Sequence, residues 1–276
     1  MRDIERLKSI AMQVREDVLV MTTRAGIGHV TSSFSCMELM VALYYGDIIN
    51  YDANNHCWEG RDYFIFSKGH ANPVLYCILA DLGFFPKSDL DLFCQPGGKV
   101  GVLLKADVPG AEIMAGSVGC GLGISAGIAH AMKMNRMDNR VFCMIGDAEC
   151  REGAIWEAAL HIGYRKLNNI VVIVDVNGLG ATHFTELEAG MEPFAEKWEA
   201  AGFNAKRING HNFEEIFDAF DRIDYSATGK PTVIIADTVK GKGVSFIENE
   251  PFMHGVAVSA DKLEPAIFEV RGGLKV

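Results

Sequence analysis

No window of about twenty uncharged apolar residues occurs in this 276-residue sequence, so no membrane-spanning helix is expected. The N-terminus, Met1 to Lys8, alternates charges and lacks the apolar stretch of a secretory signal, which points to a cytoplasmic protein. Metal-ligand cysteine spacing is missing too. The seven cysteines (Cys36, Cys57, Cys77, Cys94, Cys120, Cys143 and Cys150) are odd in number, scattered, and form no CxxC pair. Several sit in apolar runs, as Cys143 does in Val141–Ile145, so reduced buried thiols are expected rather than a disulfide framework or a zinc site. Basic charge is in deficit: the net charge is −10 and the pI about 5.3, which argues against a nucleic-acid binder. Any anion bound here must be held by local features rather than by a global field. No internal repeat, low-complexity tract or linker is apparent.

What is present is ordinary globular composition, 49% hydrophobic and 22% charged, with ample material for a core. The length admits one large α/β domain or two small ones. Apolar spacing predicts helices over 3–25, 35–46, 72–82, 120–134, 153–164, 194–201 and 213–223, the second capped by Ser35 or a neighbouring serine. Strands are predicted at Asp62–Ser67, Val141–Ile145, Ile170–Asp175 and Thr232–Thr238. Their continuous apolar character suits strands covered on both faces, and their alternation with helices implies an α/β fold with a parallel sheet.

The segments following the four strands are SKGH (67–70), GDAE (146–149), NGLG (177–180) and KGKG (240–243). In open α/β sheets ligands bind off the carboxyl ends of the strands, and such glycine-containing polar segments can cradle phosphate with backbone N–H groups. Asp147 follows one strand and Asn177 the next. If the two strands are neighbours, a carboxylate and an amide oxygen converge at one edge, a donor pair suited to a hard divalent cation that completes its shell with phosphate and water. A backbone carbonyl from Leu179 could join them. The same residues also fit a helix N-cap (Asp147) and a turn (Asn177).

Taken with Glu152-Gly153, Trp156-Glu157-Ala158-Ala159 and Asp175-Val176-Asn177, the run Gly146-Asp147-Ala148-Glu149 resembles the thiamine diphosphate signature of transketolases. Other blocks agree in order: Gly28-His29 with Ser32-Ser33; Ser67 to Ala71 with Pro73 and Leu75-Tyr76; Pro109-Gly110 with Gly116 to Leu122; and Lys240 to Val244 with His254-Gly255. The resemblance spans essentially the whole chain and implies one diphosphate-type thiamine diphosphate-binding domain over 1–276. It implies that Asp147, Asn177 and the Leu179 carbonyl hold Mg²⁺ (or Ca²⁺ or Mn²⁺) bridging the cofactor diphosphate. His29, His70 and His254 would line the diphosphate and the reactive carbon, and Lys68 and Lys240 would lie near cofactor and substrate. Gly116 and Val118 would sit against the aminopyrimidine, and Ser117, Gly146, Ala148 and Glu149 would complete the cofactor cradle. Glu152 would be a carboxylate at a subunit interface. His56, His130, His161, His183 and His211 match no block, and Lys242 and Lys275 are expected to be solvated.

Three departures stand out. Ala148 replaces the family glycine, and either crowds the diphosphate or is harmless if its φ is negative. No histidine occurs between His70 and His130. Leu103 or Leu104 stands where the family places a donor-sugar histidine, which suggests altered donor recognition and a specialised pathway. Cys120 replaces a glutamine. The pyrimidine-binding and C-terminal domains of full-length transketolases have no counterpart here. The resemblance therefore implies a transketolase subunit that works on sugar phosphates only with a pyrimidine-binding partner, as a heterotetramer with two of each chain. The alternatives are an acyloin-type synthase using an α-keto acid donor and a non-catalytic regulatory subunit.

Overall fold

A computed structural model of the chain describes residues 2–272, except 106, 115, 182, 189 and 227 and the side chains of 187 and 188. Lys275 lies outside the described residues. The chain runs through α1 (Ile4–Ala25), α2 (Val30–Ser35), α3 (Met37–Tyr45), β1 (Tyr63–Phe66), α4 (Asn72–Asp81), α5 (Cys120–Met134), β2 (Val141–Gly146), α6 (Gly153–Arg165) and β3 (Ile170–Val176). It continues through α7 (Thr185–Glu188), α8 (Phe194–Ala200), β4 (Asn204–Asn209), α9 (Phe213–Asp221), β5 (Thr232–Asp237) and α10 (Leu263–Val270). α1 begins at Asp3, whose carboxylate accepts from the Arg6 N–H, and stops at Gly26, where φ is 68°.

The five strands form one parallel sheet in the order β1-β2-β3-β5-β4. Its central strands divide their side chains by parity. Phe142, Met144, Val171, Ile173 and Ile234 enter one core with α1, α3 and α4, whereas Cys143, Ile145, Val172, Val174 and Val233 enter the other with α5, α6 and α8. Two covered faces explain the unbroken apolar runs. β4 lies outside the four predicted strands. Its sequence Asn-Ala-Lys-Arg-Ile-Asn has no apolar run, because it is a half-exposed edge strand, and Lys206 and Arg207 are the kind of charged residue that guards such an edge.

Two expectations require correction. The helix expected over 35–46 is α3, and it begins at Met37 without a side-chain cap. Ser35 ends the preceding α2, and its hydroxyl is drawn instead to Asp175. The cysteines are free, but they are not uniformly buried: Cys57 and Cys120 are exposed and Cys94 is intermediate.

The packing of α6 against the end of α8 needs close backbone approach. A Cβ on Gly163 would lie 1.8 Å from the Ala201 carbonyl oxygen, whereas one on Gly127 in α5 would meet nothing within 4 Å. Gly163→Ala should therefore destabilise the protein by about 2–3 kcal/mol, and Gly127→Ala should stabilise it by up to about 1 kcal/mol. Urea unfolding checks the pair; an unchanged midpoint for Gly163→Ala would refute the packing.

Candidate active site

The register of β2 on β3 pairs Gly146 with Asp175, and the Asp147 N–H donates to the Asp175 carbonyl at 3.2 Å. Asp147 and Asn177 thus leave the sheet at one edge, and both line a single cavity of about 250 Å³. Asp147 is 3% exposed. Its Oδ1 accepts from the Ala148 N–H at 2.9 Å and its Oδ2 from the Gly178 N–H at 2.9 Å. Asn177 Oδ1 accepts from the Leu179 N–H at 3.1 Å. The capping and turn readings hold: Asp147 caps the short turn Ala148–Arg151 and Asn177 accepts from Leu179 in a turn, while both residues line the same cavity. Burial, reinforced by Asp175, pushes the Asp147 carboxyl up to about 6. The two backbone N–H groups and the charge of Lys68 offset this only in part.

The charge of Lys68 is already engaged. Its ammonium pairs with Asp175 and donates to the Ser32 carbonyl at 3.0 Å and to Ser35 Oγ at 2.9 Å. Asp175 is fully buried and also accepts from Ser35 Oγ at 2.6 Å and from the Thr238 hydroxyl. Burial alone would raise its carboxyl; Lys68 outweighs that and holds it below the usual carboxylate range. Lys240 is different. It is 1% exposed, donates to the Gly180 carbonyl at 2.8 Å, lies 3.3 Å from His254 Nδ1, and has no carboxylate partner among the described residues. Burial, then repulsion from Lys68, lowers its ammonium to about 8.

His29, His70 and His254 form one group, with ring centroids 4.7, 4.9 and 5.5 Å apart. Burial first, then one another and the two lysines, push these imidazoles down, His29 to about 3 and His254 to about 4, with His70 also lowered. They are neutral near pH 7. The buried Nδ1 of His29 has no hydrogen-bond partner among the described residues. Gly255, at φ +75°, lies against His29, where a Cβ would come within 3.3 Å of Nε2.

The remaining expectations divide. Gly116, Val118, Gly146, Ala148, Glu152 and Leu179 all line the cavity. Ser117 does not; it borders a smaller adjoining depression with Cys120 and Ile124. Glu149 lines the cavity, but its carboxylate is committed inward, accepting from the Ser67 hydroxyl, from the Gly119 N–H at 2.9 Å and from the Gly146 N–H at 3.2 Å. It braces three strand and helix ends rather than pointing at a ligand. Ala148 opens a helical turn and is not among the positive-φ residues, so the methyl strains nothing. Of the two leucines in place of the loop histidine, Leu104 is buried and Leu103 is 43% exposed, with its Cδ1 within 3.1 Å of where a Gly116 Cβ would be. Leu103 therefore lies against Gly116, which lines the cavity. Lys242, expected to be solvated, has a side chain that is 42% exposed. Sequence reasoning misses Ser35 and Asp175 as parts of the site; the only signal is the Asp-x-Asn spacing, because their contact spans 140 residues of chain.

The family description "Transketolase, thiamine diphosphate binding domain" matches residues 7–269. The chain belongs to this transketolase family. A 6-deoxy-6-sulfo-D-fructose transketolase subunit from a Clostridium strain is 35% identical over 269 residues, covering 96% of each chain. From Actinobacillus succinogenes, a subunit of apulose-4-phosphate transketolase is 33% identical, covering 97% of this chain and 96% of that one. Rat transketolase is 35% identical, but this chain spans only 42% of its length. The crystal structure of Campylobacter jejuni transketolase superposes with a TM-score of 0.92 at 28% identity, over 99% of this chain and 43% of that one.

Two outcomes follow from the site's charges. Lys68→Met strands Asp175 as an unpaired buried carboxylate and should cost about 3–5 kcal/mol in urea unfolding; adding Asp175→Asn should recover much of it, and equal losses in both variants would contradict the pairing. The second concerns pH. The folded His29 stays neutral where the unfolded residue, near 6.5, takes up a proton, so stability falls as pH drops from about 6.5 toward about 3. His29→Gln should flatten that slope by up to about 1.4 kcal/mol per pH unit between pH 6 and 5; an unaltered slope would show that the imidazole is not held neutral.

Proposed function

We propose that this chain is the diphosphate-binding subunit of a transketolase that transfers a two-carbon ketol unit from a phosphorylated ketose to an aldose. The observation that carries the reading is the meeting, in one cavity, of Asp147, Asn177, an unpaired lysine and neighbouring neutral histidines. The donor set fits the cofactor's metal and tail. Asp147 and Asn177, with the Leu179 carbonyl, offer hard oxygens beside the buried carboxylate of Asp175, which suits Mg²⁺, Mn²⁺ or Ca²⁺. When bound, thiamine diphosphate supplies the electron sink for carbon–carbon cleavage. The protein's own groups do the rest. Lys240, unlike Lys68, has charge left for an anion. His29, His70 and His254, neutral at working pH, can accept or donate a proton at a sugar hydroxyl. Glu152 and Val118 stand at the rim, toward a second chain.

The activating acid and the acceptor pocket are then supplied by a pyrimidine-binding subunit, in a heterotetramer of two chains of each kind. Two relatives of matching length are named as subunits, which supports this. So do exposed apolar side chains near the cavity: Val118, which lines it, Leu103 against Gly116, and Phe252 two residues before His254. Leu103 in place of a polar sugar contact favours a specialised donor, in keeping with the sugars in those relatives' names. A cytoplasmic setting is part of the proposal; no described helix is long and apolar enough to cross a membrane.

The test is reconstitution. Co-expressed with a pyrimidine-binding chain and supplied with thiamine diphosphate and Mg²⁺, this chain should support ketol transfer from ketose phosphates. Activity of the chain alone would contradict the divided site, and transfer from pyruvate only would replace the reaction class. Asp147→Ala should weaken Mg²⁺-dependent cofactor binding more than about 100-fold by calorimetry, and unchanged affinity would remove the metal assignment.

A further inference from the structure

His211 matches none of the sequence blocks, yet it lies at the centre of a chain of polar contacts ending beside Lys240. Its Nδ1 is 2.7 Å from Glu38 Oε2, and its Nε2 accepts from the Val239 N–H at 2.8 Å. A backbone N–H can only donate, so Nε2 must carry the lone pair and Nδ1 the proton given to Glu38. One tautomer is selected. Glu38 is held in turn by Arg15, whose Nη2 lies 2.7 Å from Oε1. Burial would raise the Glu38 carboxyl, but Arg15 and His211 together hold it below its usual value.

Arg15 also donates from Nε to the Lys242 carbonyl at 3.2 Å. The network therefore grips the main chain on both sides of Lys240, at Val239 and at Lys242. The loop carrying His211 is itself fixed to the end of β5: the Gly210 N–H donates to the Asp237 carbonyl at 2.8 Å, and a Cβ on Gly210 would meet the Thr238 methyl at 2.5 Å. Only glycine lets this loop lie so close.

We propose that His211 is a positioning residue, held by Glu38 and Arg15, that fixes the backbone at Val239 so that the Lys240 ammonium stays buried against the Gly180 carbonyl and His254. It touches no ligand itself. Its importance for turnover rests on the functional reading above; its effect on Lys240 does not.

The experiment separates the two. The ligand-free chain is acylated with a water-soluble anhydride, and labelling at each lysine is followed by peptide mass spectrometry. Lys240 should be protected in the wild type, with Lys68 as the buried control. In His211→Asn, which keeps a donor for Glu38 but is too short to reach Val239, labelling at Lys240 should rise at least about fivefold while Lys68 stays protected. In His211→Gln, whose carbonyl can reach the Val239 N–H, protection should be kept. Labelling of Lys240 that is unchanged in His211→Asn, that rises equally at Lys68, or that rises as much in His211→Gln would overturn the proposal. Thiamine diphosphate affinity with Mg²⁺, measured on the assembled protein, then tests the link to function: it should fall in His211→Asn and recover in His211→Gln. A wild-type assembly that binds no cofactor would count against the functional reading and leave the labelling result standing.

Discussion

Parallel pairing of β2 with β3 is the constraint on which the site depends. The ladder that joins Val141 to Ile170 ends at Gly146 and Asp175, and it determines where the next residues emerge. A slip of one residue would turn Asp175 away from Lys68 and send the apolar side chains of β3 to the wrong cores. Because both faces of these strands are packed, that slip is strongly opposed, and the positions of Asp147 and Asn177 follow from the burial of valines and isoleucines well away from them.

Above that frame the site is a matter of charge allocation. Asp175 absorbs Lys68, Glu149 absorbs backbone donors, and Glu38 absorbs Arg15. Three groups are left less fully matched among the described residues: Asp147, whose carboxylate accepts only from backbone N–H groups and a hydroxyl, Lys240, which has no carboxylate partner, and His29, whose buried Nδ1 has no hydrogen-bond partner. These are the groups on which the proposed cofactor site rests. Glu149 and Lys68 line the same cavity, but their charges are also engaged in holding it together.

How much is legible in the sequence depends on whether the signal is local. The four buried strands and the segments after them can be read directly, because continuous apolar runs ending in glycine-rich polar turns are a local pattern. β4 cannot, because an edge strand half-open to water carries no such run. The break between α2 and α3 is hidden, since Ser35 reads locally as a cap while its hydroxyl is engaged across the sheet edge by Asp175. His211 is invisible for a similar reason: its partners Glu38 and Val239 lie 173 and 28 residues away. The resemblance of ordered blocks names the family, but not which matching residues point at a ligand and which point inward.

The central claim is that the ends of β2 and β3 hold a divalent cation between Asp147 and Asn177. The most direct measurement is anomalous diffraction from crystals of the assembled protein grown with Mn²⁺ and thiamine diphosphate. The account predicts one strong anomalous peak within bonding distance of Asp147 and Asn177 oxygens and of the Leu179 carbonyl. A peak elsewhere in the cavity, or cofactor density without any ion at this edge, would contradict it.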